Sequence, residues 1–77
     1  MSDFAENILK EVFYSYSNGE NCYSIKMPQG SKIHELNMAL KELEQKNFII
    51  IEQKNLCVAK ILLSEIGLEF CMENYFE

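Results

Sequence analysis

Seventy-seven residues, 48% of them hydrophobic and 25% charged, make one globular domain with a modest core and exclude a disordered chain. The formal net charge of −5, in a sequence without arginine, leaves lysines, amides and backbone as the only groups for a phosphate contact. No apolar run approaches the roughly 20 residues that cross a bilayer, and the acidic, amphipathic start MSDFAENILK does not read as a secretory signal. A cytoplasmic protein with no membrane partner is expected.

Charge is spread unevenly. Residues 1–20 carry four acids and one lysine (−3), residues 21–60 six lysines and four glutamates (+2), and residues 61–77 four glutamates and no base (−4). A mildly basic middle therefore lies between two acidic ends. The three cysteines, Cys22, Cys57 and Cys71, are odd in number and widely spaced, which fits reduced thiols better than a disulfide framework.

Residues 3–17, DFAENILKEVFYSYS, read as a helix, with Phe4, Ile8, Leu9, Val12, Phe13 and Tyr16 recurring at helical spacing. Asp3 followed by Glu6 predicts a capping-box-like start. The apolar arc covers about half the circumference, more than one core face needs. SNGEN (17–21) is a turn by its residue chemistry. CYSIKM (22–27) then alternates, with Tyr23, Ile25 and Met27 on one side, and predicts a short half-buried strand ended by Pro28-Gln29-Gly30.

A second helix is expected over 32–46, with Ser31 as its N-cap and Ile33, Leu36, Leu40 and Leu43 as its buried stripe. Asn47 falls where a left-handed residue would end it. Phe48–Lys54 and Leu56–Leu63 read as two strands joined as a hairpin near Lys54-Asn55. Ser64 is positioned to cap a last helix, EIGLEFCMENYF, running on to the C-terminus. The order helix, strand, helix, strand, strand, helix gives an α+β domain over residues 1–77, with a small three-stranded antiparallel sheet beside three helices.

That order resembles the winged helix-turn-helix superfamily, and two stretches carry the resemblance. ALKELEQKNFI (39–49) is similar to a recognition helix entering the first strand of a wing, and LLSEIGLEF (62–70) to the second wing strand followed by a Ser-capped helix. Small regulators of the MarR and PadR kinds carry both. One departure matters: only Pro28-Gln29-Gly30 separates the first strand from the recognition helix, so the supporting helix is short or missing unless residues 19–30 hold it in place of a strand.

The resemblance implies sequence-specific binding of double-stranded DNA by a small homodimer. Such a protein would act as a transcription regulator, or as a TubR-like plasmid or phage partition adaptor that hands DNA to a filament-forming NTPase. With Ile33, Leu36, Leu40 and Leu43 inward, the opposite stripe is His34, Asn37, Met38, Lys41 and Gln45, which carries no acid. Asn and Gln suit adenine, lysine suits guanine or phosphate, and Met suits a thymine methyl. Lys32, Lys54 at the hairpin and Lys60 behind it are the candidate backbone contacts.

Net charge −5 and the lack of arginine favour the alternative, a winged-helix module that binds protein and not DNA. The wide arc of the first helix, and apolar residues on two sides of the last, point to a two-fold interface of Phe4, Phe13, Tyr16, Leu68, Met72 and Tyr75. That arrangement would set two recognition helices about 34 Å apart. His34 and the cysteines lack CxxC or HxxxH spacing, so no metal is expected. No nucleophile–base pair or glycine-rich phosphate loop is legible, so neither catalysis nor a cofactor is expected.

Overall fold

The computed structural model describes residues 1–75. Three helices, α1 (Asp3–Ser17), α2 (Ser31–Gln45) and α3 (Glu65–Asn74), pack with three strands, β1 (Tyr23–Lys26), β2 (Ile49–Lys54) and β3 (Val58–Leu63). The strands form one antiparallel sheet in the order β1-β3-β2. This is the expected α+β architecture and is compatible with a winged-helix-like topology. Residues 23–26 are a strand, so among the described residues no helix stands between α1 and α2.

Each helix is ended by local chemistry. Ser2, not Asp3, is the N-cap of α1, its hydroxyl accepting the Ala5 amide at 3.1 Å. Ser31 is the first residue of α2 and not its cap. The cap position is Gly30 at φ 77°, which offers no side chain, and its carbonyl accepts the Ile33 amide at 3.3 Å. At the other end, Asn47 takes φ 62° and donates to the Glu44 carbonyl, while the Phe48 amide donates to Leu43. That pair of bonds is the Schellman ending, and it turns α2 straight into β2. Ser64 caps α3 as expected, accepting the Gly67 amide at 2.9 Å. The expected extension of α3 over Phe76 lies outside the described residues.

Ile49 and Ile51 of β2, Ala59 and Ile61 of β3 and Ile25 of β1 turn one side of the sheet toward the helices. The β2–β3 register shifts between Ile51 and Gln53, an irregularity of the kind that discourages edge-to-edge pairing. The hairpin turn is later than expected, β3 beginning at Val58. Asn55 builds it, its Oδ1 accepting the amides of Cys57 (2.7 Å) and Val58 (2.9 Å). Leu9, Leu40, Leu43, Ile61 and Cys71 are the largest fully buried side chains, one or more from each helix and the central strand. No polar or charged residue is buried among those described.

Candidate nucleic-acid interface

Leu36, Ala39, Leu40 and Leu43 bind α2 to the core, and that fixes which side faces outward. His34, Met38, Lys41 and Gln45 are all exposed. They line one open depression of about 670 Å³ between the outer face of α2 and the start of α1. Phe4 and Ser2 close its α1 side. Four of the five α2 residues expected to read DNA are thus brought together on one surface.

Asn37 is not among them. It is half-buried at the edge of the inward stripe, and its Oδ1 is buried without a hydrogen-bond partner. An amide held there does not offer the outward donor–acceptor pair that adenine would need. The absence of acid on the α2 stripe also fails to carry over to the folded surface. Glu35 and Glu42 line the same depression, and Glu42 accepts the Met1 ammonium at 3.5 Å.

Lys32 lies apart, on a second depression of about 430 Å³ among α1, β1 and α2. Its floor is Phe4, Ile8, Ile25 and Leu36, and Tyr23 donates its hydroxyl to Glu11 at the rim. Burial, then the hydrogen bond to Glu11 and its negative charge, push the Tyr23 hydroxyl up to about 12. Lys54 ends β2 beside the hairpin turn and is exposed. Lys60 is half-buried at mid-strand on the outer side of the sheet, between Ser24 and Gln53. Leu56, at the hairpin tip, is 88% exposed.

The residues expected at a subunit interface separate. Phe13 is buried in the chain's own core and is unavailable to a partner, because the wide arc of α1 is used on β3 and α3 as well as on α2. Phe4, Tyr16 and Met72 are exposed. Leu68 and Tyr75 are half-buried against the core, and Lys10 sits 5.1 Å from the Tyr75 ring centre. Glu65, Glu69 and Glu73 are all exposed at four-residue spacing, which makes an acidic ridge along α3.

Sequence reasoning missed Phe4 as a neighbour of Met38, and Glu35 and Glu42 as members of the same surface. The helical wheel of α2 already sets Glu35 and Glu42 within about 60° of Met38, whereas Phe4 enters only because the start of α1 packs beside α2. Among the described residues no three His, Cys, Asp or Glu side chains are grouped to hold a metal ion, and no helix is long and apolar enough to cross a membrane. Neither models of known protein families nor comparisons with curated proteins and solved structures give a match to this chain.

Proposed function

We propose that this chain is a small winged-helix protein that binds double-stranded DNA, with α2 as the recognition helix and the β2–β3 hairpin as the wing. The observation that carries it is the joint exposure of His34, Met38, Lys41 and Gln45 on a helix that passes directly through Asn47 into a hairpin bearing Lys54. Lys41 and Gln45 supply the polar base or phosphate contacts, Met38 an apolar one, and Lys54 the backbone contact from the wing. Lys32 and Lys60 add charge farther from the reading face.

Binding through so few lysines is modest and falls with salt by about 0.9 log units per log unit for each phosphate contact. Glu35 and Glu42 weaken it further. A mobility-shift series with duplex fragments across ionic strength tests this. Lys41→Glu is expected to abolish the shift, while Lys10→Gln, on α1 beside Glu6 and the Tyr75 ring, retains it. No shift with any duplex at low salt overturns DNA binding. A transcription regulator would protect one isolated site, and a partition adaptor that engages a filament-forming NTPase would protect a tract of repeats.

A second reading has its own observation. Phe4 and Met38 are exposed apolar side chains in the depression that also holds Glu35 and Glu42, and that mixture suits a protein partner better than a polyanion. On this reading the chain is an interaction module that leaves DNA alone.

A further inference from the structure

The outward face of α2 has its charges sorted by side. Taking Met38 as the centre, Glu35 and Glu42 fall about 40–60° to one flank and His34 and Lys41 about 40–60° to the other. Ser31 and Gln45 lie within about 20° of the centre line, one toward each end. Met38 is 60% exposed, and Phe4 stands beside the acidic flank, 38% exposed. The Met1–Glu42 ion pair and the Phe4 ring mark this flank as the side where α1 forms a wall.

We infer that this face is a two-fold contact with a second copy of the chain, in which the two α2 helices run parallel and Met38 meets Met38. The direction follows from electrostatics. A two-fold axis perpendicular to the helices would lay acidic flank on acidic flank and basic on basic. An axis along the helices lays each flank against the opposite one. Glu35 then faces His34 of the second copy, Glu42 faces Lys41 of the second copy, and both pairs occur twice. Lys41 of the second copy enters the depression beside Phe4, so the apolar side chains are covered by the same movement that pairs the charges.

A two-fold surface through α3 offers no such pairing, because α3 carries no lysine to face the Glu65, Glu69 and Glu73 ridge. A standard interface buries roughly 800 Å² per partner, of a total surface here of 5297 Å². One helix face and Phe4 fall short of that, so the dimer is weak and forms only at high concentration. DNA and the second copy would compete for one face, leaving the monomer as the DNA-binding form. The contact itself involves no nucleic acid, so it stands or falls apart from the DNA proposal.

Sedimentation of the full chain without DNA, from about 10 µM to about 1 mM, tests the contact. The wild type is expected to shift from monomer to dimer across that range. Glu42→Lys and Lys41→Glu are each expected to stay monomeric, with circular dichroism matching the wild type. An equimolar mixture of the two variants is expected to dimerise again, because each lysine then faces a glutamate. A wild type that is monomeric throughout overturns the contact. So do variants that dimerise as the wild type does, and folded variants whose mixture stays monomeric.

Discussion

A Cβ added to Gly67 in α3 would lie 2.0 Å from the backbone carbonyl oxygen of Phe48. That oxygen accepts the Ser64 amide at 3.1 Å, and Ser64 in turn donates its hydroxyl to the Asn47 carbonyl and accepts the Gly67 amide. The end of α2 and the start of α3 are therefore fastened to each other through a space that only glycine leaves open. Gly67→Ala must push helix from strand, because the atom it meets is backbone and cannot rotate away. The expected cost is about 1–3 kcal/mol, the usual range for overpacking, read as a lowered urea midpoint with an unchanged slope. An unchanged midpoint would mean that α3 is not seated against Phe48.

Asn47 sits on the other side of the same junction at φ 62°. The left-handed conformation costs a residue with a Cβ about 1–2 kcal/mol, and Asn less than most. Asn47→Ala should therefore destabilise by about 1 kcal/mol, while Asn47→Gly should match or exceed the parent. The urea midpoints of the two variants check the order. Equal midpoints for the two would contradict a left-handed residue at this position.

Much of this junction is legible in the sequence. Asn47 ends a helical stripe and Ser64 precedes another, and both capping roles follow from bonds spanning five residues or fewer. The β1 alternation at Tyr23, Ile25 and Met27 is local in the same sense. What the pattern misses depends on residues far apart in the chain. Asn37 is the exception, since at about 100° from Met38 and about 60° from Leu40 the helix itself sets it on the flank, where it is half-buried. Phe13 looks like surplus surface until α1 is seen to touch β3 and α3 as well as α2. At the helix starts, Ser2 and Asp3 both suit a cap, and only the Ala5 amide decides between them. Phe4 joins the α2 surface only through the place where α1 lays its first turn.

The three cysteines give a direct check on the packing. Cys57 is exposed beside the hairpin tip, Cys22 is half-buried, and Cys71 is fully buried, where burial pushes its thiol up to about 11. A thiol-reactive reagent in excess near neutral pH should modify Cys57 first and Cys22 more slowly. It should reach Cys71 only when the chain unfolds, since the reactive thiolate there is both scarce and covered. Mass mapping of the modified peptides over time reads the order. Early modification of Cys71 would show that α3 detaches from α1 on that timescale.

Stability should also depend on alkaline pH through Tyr23. Burial first, then the hydrogen bond and charge of Glu11, raise this hydroxyl from 10.0 to about 12. The folded chain thus holds the phenolic proton more tightly than the unfolded chain does. The resulting stabilisation is fully present below pH 10 and is lost as pH rises from 10 to about 12. Cys71 acts with the same sign, its contribution disappearing between 9.0 and about 11. The two separate by substitution. Tyr23→Phe keeps most of the ring packing but removes the proton and the Glu11 bond, so its unfolding free energy should fall less steeply than the parent's above pH 10. Glu11→Gln keeps the burial and removes the charge, so it should give an intermediate slope. Urea titrations at successive pH values supply the comparison. Identical slopes for the parent and Tyr23→Phe would assign the alkaline loss to Cys71 and to Tyr75, whose hydroxyl burial also raises, and place Tyr23 in contact with solvent.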